Sequence, residues 1–184
     1  QKGGNSHMRY AYKFKLEPTN EQAILINKTL GCCRWVYNNA LDHKSKAFKR
    51  RNESLSATDL KNQLPHLKTA KPWLKEVDST ALQQSIMRLE DAFDNFFAKR
   101  ADYPNFKSKH NEVQSYKTVS TSLRITDDKH INIPKVGVVR CRMHRQPKGL
   151  IKSATISRCA GNYYISLLCE VDEPTKLPIN TNMV

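Results

Sequence analysis

With 184 residues, 39% of them hydrophobic and 26% charged, the chain has length for one ordinary domain or two small ones, and the composition is not that of a disordered polymer. No stretch approaches the ~20 apolar residues of a membrane-spanning helix, which excludes an integral membrane protein of that kind. Lys and Arg number 31 against 17 Asp and Glu, so the chain carries +14, spread as +9 over residues 1–110 and +5 over residues 111–184; a surplus of that size points to a polyanionic partner rather than to a membrane.

Residues 1–7 are small and polar and precede Met8, and they read as a cloning scar. From Met8 to Leu16 the pattern alternates, with Tyr10, Tyr12, Phe14 and Leu16 on one side and Arg9, Lys13 and Lys15 on the other. This predicts a half-buried strand with a basic outer face. Pro18 ends it, and Thr19 to Gln22 form a capping box. Ala23, Ile26, Leu30, Cys33, Tyr37 and Leu41 then recur at helical spacing, and the helix runs into the basic stretch Lys44 to Arg51. Leu60, Leu64 and Leu67 predict a short helix bent at Pro65, and Trp73 reads as the anchor of a connector. Asp78 or Ser79 opens another helix, with Leu82, Ile86, Leu89, Phe93 and Phe96 as its apolar stripe. Residues 99–109 form a basic loop.

After about Ser115 the period changes from helix to strand. Strands are predicted at 116–120, 123–126, 130–133, 137–143, 150–159 and 162–171, with Ala160-Gly161 as a hairpin turn. The order of one strand, several helices and then many strands predicts an α+β fold. Its expected form is a small β-barrel, residues 8–16 and 111–173, split after its first strand by a helical insertion, residues 17–110. Residues 174–184 read as a linker.

The expected catalytic residues are none. Glu90, Asp91 and Asp94 read as a polar helix face, and Asp127 and Asp128 as turn residues. No phosphate-loop, nucleophile-elbow or zinc-protease motif occurs, and the histidines lack ligand spacing. The five cysteines include no C-x-x-C, and an odd count without a secretory pattern after Met8 argues for reduced thiols in the cytoplasm, filling the core. Nucleic-acid binding has more behind it. Arg140, Arg142, Arg145, Lys148 and Lys152 crowd one predicted strand pair, and with Lys13 and Lys15 they are the RNA-binding candidates. Tyr10, Tyr12, Tyr163 and Tyr164 lie on strands of the same sheet, either as stacking platforms or as core.

An ordered series of segments resembles one family. It comprises Leu16-Glu17-Pro18-Thr19, the run Thr29 to Asn38 (TLGCCRWVYN), Trp73 to Val77, Ala81-Leu82-Gln83, Phe93 to Phe97 and Tyr103 to Lys109 (YPNFKSK). Ser115-Tyr116, Ile133-Pro134-Lys135 and the hairpin Ile156 to Tyr164 continue it. In this order they resemble the N-terminal half of the OrfB/TnpB proteins of insertion-sequence transposons, over nearly all of Met8 to Val171. The resemblance implies a prokaryotic, compact RNA-guided DNA endonuclease related to type V CRISPR effectors. Its N-terminal half is a wedge barrel gripping a guide RNA, with a helical recognition insertion. Its C-terminal half is a RuvC-like nuclease with magnesium-binding carboxylates and a zinc finger, expected to lie outside this sequence, so that no cofactor is expected here.

The resemblance also implies that helices and barrel read a short target-adjacent motif in double-stranded DNA, with Lys61, Ser79, Thr80, Gln83, Thr121 and Ser122 as the DNA-reading candidates. Oligomeric state is not implied. Two other functions compete. One is an autonomous sequence-specific DNA-binding domain of a transposase or nuclease-dead repressor, with Thr19 to Arg51 as a helix-turn-helix reader. The other is an interaction domain whose charge serves solubility. RNA that co-purifies with the chain separates the first reading from these two.

Overall fold

Alternating apolar residues make one face of a strand worth burying. In the computed structural model, which describes residues 7–172, the first segment is strand β1 (His7–Glu17). Tyr12, Phe14 and Leu16 are buried and Lys13 is exposed, while Tyr10, expected on the inner face, lies open to solvent. His7 is paired in the strand, opposite Asp172. Residues 1–6 and the expected linker 174–184 lie outside the described residues.

The capping box forms as the sequence predicts. The Thr19 hydroxyl accepts from the Gln22 amide N–H at 3.2 Å, and the Gln22 side-chain oxygen accepts from the Thr19 amide at 3.0 Å. Helix α1 (Asn20–Arg51) then runs unbroken for 32 residues and closes on Asn52 in the left-handed region. Helix α2 (Ala57–Asn62) is followed at once by α3 (Leu64–Ala70). Pro65 sits in the first turn of α3, where its missing N–H costs nothing, so it starts a helix instead of bending one. A 3-10 turn, Pro72–Glu76, leads to α4 (Ser79–Phe97), with Asp78 as N-cap. The buried anchor of that connector is Leu74; Trp73 packs edge-on against Trp35 at 5.3 Å and keeps 38% of its surface exposed.

The remaining strands are β2 (Val113–Thr118), β3 (Arg124–Asp127), β4 (His130–Ile133), β5 (Gly137–Arg142), β6 (Leu150–Cys159) and β7 (Asn162–Asp172). With β1 they form one antiparallel sheet in the order β2-β6-β7-β1-β5-β4-β3. The first strand of the chain is thus its middle strand, paired with β7 along its length and with β5 at its end. Ala160 and Gly161 both have positive φ, 47° and 76°, the geometry of a two-residue hairpin turn.

The sheet is open where a closed barrel was expected, because β2 and β3 do not pair with each other. The physical reason is visible at β2, whose free edge is taken by α4. Arg88 donates to the Ser115 carbonyl at 3.1 Å, and the hydroxyls of Thr80 and Thr118 meet at 3.0 Å. A helix covers the edge that a closing strand would otherwise fill. The α+β class and the strand–helices–strands order stand. One hydrophobic cluster joins the inner face of the sheet (Phe14, Ile131, Val139, Ile156, Ile165, Leu167) to α1 and α4 (Ile26, Leu30, Leu41, Leu82, Ile86, Leu89).

Candidate nucleic-acid interface

Two polar surfaces are built on this frame. The first lies where α4 begins against the end of β2. Asp78 is 6% exposed, and its carboxylate accepts from the Thr80 amide at 3.0 Å, the Thr80 hydroxyl at 2.8 Å and the Thr118 hydroxyl at 2.5 Å. Bonds to an ionised acceptor are the strong ones, so this cap also bolts the helix to the strand. Around the bolt, Gln83 is exposed on the second turn of α4. Ser79 is exposed too, and its hydroxyl accepts from Lys68 Nζ at 2.8 Å. The Thr80 hydroxyl is engaged in the network, which leaves its methyl as the part available for an apolar contact.

Thr121 and Ser122 are exposed in the turn that follows β2, and the Ser122 carbonyl accepts from Asn132 at 2.8 Å. The Asp78–Thr118 bond therefore holds the helix start carrying Ser79, Thr80 and Gln83 beside the strand end that leads to Thr121 and Ser122. Lys61 is half-buried at the last turn of α2. Sequence reading recognises Asp78 as a cap but not as the link to β2, since Thr118 carries no local signal of it.

The second surface is the basic outer face of the sheet. Arg140 and Arg142 alternate outward on β5, facing Glu17 and Lys15 of β1 across the ladder. Glu17 binds both arginines, Arg140 at 3.2 Å and Arg142 Nε at 2.6 Å. The hydrogen bond from Arg142 holds the Glu17 carboxyl below the ordinary carboxylate range, and the charges of Arg142, Arg140 and Lys15 add to it. The like-charge cost that the sequence suggests is thus partly met within the protein. Arg145 lies over the Tyr12 ring at 4.8 Å, and Lys13 over Tyr164 at 5.1 Å. Lys148 is exposed, its backbone N–H bonded to the Tyr12 hydroxyl at 3.2 Å, and Lys152 is exposed beside Glu170 at 3.7 Å.

Of the four tyrosines, Tyr12 is core, Tyr163 is half-buried with its hydroxyl accepting from Asn27 at 2.9 Å, Tyr164 is half-buried and Tyr10 is exposed. A cleft of about 570 Å³ opens beside the arginines, lined by Glu17, Lys129, Arg140, Arg142, His144 and Gln146 among others.

Among the acidic residues, Glu90 is no solvated surface group. It pairs with Lys44, itself 8% exposed, at 2.8 Å between α1 and α4. Asp91 and Asp94 are exposed. Among the described residues no group of three or more His, Cys, Asp or Glu side chains is arranged to hold a metal ion, and no helix is long and apolar enough to cross a membrane. All five cysteines are free thiols and four are buried; burial pushes Cys33 up to about 12, which makes it a poor nucleophile.

A basic α+β protein whose helices are inserted after the first strand of an antiparallel sheet is the class that these features define. A family model described as a helix-turn-helix domain, that of IS605-type OrfB proteins, matches residues 8–53. "Putative RNA-guided DNA endonuclease InsQ" of Escherichia coli K12 is 33% identical over 176 residues, 95% of this chain and 44% of that protein. A similarly named protein of Streptomyces pristinaespiralis is 33% identical over 96% of this chain and 45% of its own length. The virulence protein VsdF of Salmonella dublin is 39% identical over 58% of this chain and 98% of that protein. The chain belongs to the OrfB/TnpB family of insertion-sequence proteins and corresponds to its N-terminal half. It spans less than half the length of the two endonuclease-named relatives. The region described as helix-turn-helix holds β1 and the single unbroken helix α1, with no turn between two helices.

Proposed function

We propose that this chain is the part of a transposon-encoded RNA-guided DNA endonuclease that binds the guide RNA and recognises a short target-adjacent motif in duplex DNA. Cleavage, with its magnesium and the family's zinc finger, would belong to a nuclease part outside this sequence. The observation that carries the reading is the junction of α4 with β2. Exposed Ser79 and Gln83 stand on a helix start held rigidly against the strand end that leads to exposed Thr121 and Ser122. A base-reading side chain has to be both accessible and fixed, and this junction supplies both. The Gln83 amide matches the donor–acceptor edge of adenine, and the Thr80 methyl suits the thymine methyl. Lys61 would hold a phosphate and position the duplex without reading it. Lys13, Lys15, Arg140, Arg142, Arg145, Lys148 and Lys152 offer the RNA a cationic surface, with the Tyr164 ring beneath Lys13 on the outer sheet face and Arg145 covering the ring of Tyr12, a residue of the buried side. The competing reader, a helix-turn-helix within residues 19–51, finds no support in a single unbroken helix.

The test uses the full-length parent protein reconstituted with its guide RNA in a motif-depletion assay. Gln83→Ala should relax preference at one motif position, at a cost of about 1–3 kcal/mol of discrimination. Lys61→Ala should weaken all sequences alike. An unchanged motif in Gln83→Ala, or a chain that binds duplex tightly and specifically with no RNA present, would refute the reading.

A further inference from the structure

Behind the α4–β2 junction lies a pocket of about 200 Å³ walled by α1, α4, β2 and the loop before β2. That is well beyond the ~10–15 Å³ that a single water needs. Three cationic side chains line it, Arg34 from α1, Arg88 from α4 and Lys107 from the loop, and no Asp or Glu does. The Arg34 guanidinium donates to Gln114 Oε1 at 2.9 Å, and Arg88 donates to the carbonyl and the hydroxyl of Ser115 at 3.1 and 3.2 Å. Both forks are therefore fixed on β2 by neutral acceptors, with charge left uncompensated.

Lys107 is held as firmly. Asn38 accepts from its backbone N–H at 2.8 Å and donates to its carbonyl at 2.9 Å, and its ammonium lies 4.1 Å above the Tyr37 ring. Burial, with the Arg88 charge second, lowers Lys107 to about 8. Gln114 also donates to the Lys109 carbonyl at 2.7 Å, which fastens the loop that forms the outer wall. Three immobilised cations around a space without a counter-charge are costly in isolation, and they are preorganised for an anion. The charge, and two planar forks beside the small polar groups of Ser108, Asn111 and Ser115, suit the tetrahedral oxygens of a phosphate.

We infer that this pocket is a phosphate site that seats one backbone phosphodiester of a bound nucleic acid, clamping the strand at the seam of helices and sheet without reading its bases. The site stands apart from the base-reading junction. Its loss lowers affinity for every sequence, whereas loss of Gln83 changes which sequence is preferred.

The test uses two variants of the full chain. Lys107→Met keeps the stem on Tyr37 and removes the charge. Asn111→Asp, at an exposed position, puts a carboxylate at the mouth. Both are checked by thermal melts before use. Backbone amide shifts of residues 107, 108 and 111 are followed during titration with inorganic phosphate, and binding to guide RNA and to duplex DNA is measured against salt. The expected result is that phosphate moves these amides in the parent chain and not in Asn111→Asp. Nucleic-acid affinity should fall several-fold in both variants, and the log–log salt slope should shrink by about 0.7 for single strands or 0.9 for duplex, the value of one phosphate. Phosphate binding with unchanged nucleic-acid affinity and slope would assign the pocket to free phosphate and overturn the inference. Folded variants with no change in either readout would also overturn it, leaving the three cations as scaffold for the covered sheet edge.

Discussion

Replacing Asp78 by alanine tests whether the start of α4 is held by its cap or by the apolar stripe beneath it. The substitution removes an N-cap, which costs about 0.5–2 kcal/mol. It also strips the charged acceptor from Thr118, whose side chain has no exposure at all. A hydrogen bond to a charged group is worth about 1.5–3 kcal/mol. Part of that loss is recovered, because Thr118 still has the Thr80 hydroxyl at 3.0 Å. The expected total is about 2–4 kcal/mol, and at about 2–4 °C per kcal/mol for a chain of this size the melting temperature should fall by about 8 °C.

Asp78→Asn keeps a good cap and one acceptor oxygen, and should cost less than half as much. A double-mutant cycle with Thr118→Val should show about 1 kcal/mol or more of coupling, since the two side chains touch. Urea and thermal unfolding followed by circular dichroism read all three. An alanine variant within about 0.5 kcal/mol of the parent, or an asparagine variant as costly as alanine, would show that packing alone holds the helix. In the full-length protein the alanine variant should also blunt motif preference without touching Gln83.

The triple variant Arg140→Ala, Arg142→Ala, Arg145→Ala should bind RNA more weakly with a shallower salt slope, by about 0.7 for each phosphate no longer neutralised, as read by filter binding. Because Glu17 offsets part of that charge, Glu17→Gln should strengthen RNA binding, and a weakened variant would contradict the role given to this face. Lys107 is held at about 8 against an ordinary 10.5, so the folded chain loses this proton first as pH rises. The destabilisation from its buried charge is complete below pH 8 and relieved towards pH 10.5. Lys107→Met should therefore gain stability over the parent at pH 7 and lose that advantage by pH 10.5, in urea midpoints taken side by side, which cancels the opposing titration of the buried thiols. The purified chain should not cut DNA or RNA in magnesium; cutting abolished by a substitution within this chain would refute that.

Strands and caps are legible in the sequence because their signals are local. The alternation through β1, the Thr19–Gln22 box and the Ala160-Gly161 turn each fit within a few residues. The openness of the sheet is not legible, since it depends on Arg88 and Thr80 reaching an edge formed by residues far along the chain. The same limit applies to charge. The density around Arg140 can be counted, but Arg142 and its partner Glu17 are 125 residues apart, and only strand register makes them neighbours. Arg34, Arg88 and Lys107 lie on three separate elements, so nothing in a linear reading joins them. Trp73 suggests itself as the anchor by its size, whereas its neighbour Leu74 has the buried position.

The placement of β1 at the middle of the sheet sets a schedule for the protein's synthesis. Arg9 and Glu170, neighbours across β1 and β7, are 161 residues apart. At about 5–20 residues per second of translation, the first strand waits roughly 8–30 s for its partner to be made. During that time α1 and α4 can already pack on each other, while the β7 edge of β1 stays bare and its other edge finds β5 only once residues 137–142 are made. A ribosome stalled after α4 and before β5 would therefore release helices that can pack on each other, tethered to an unpaired first strand, a natural substrate for chaperones and proteases.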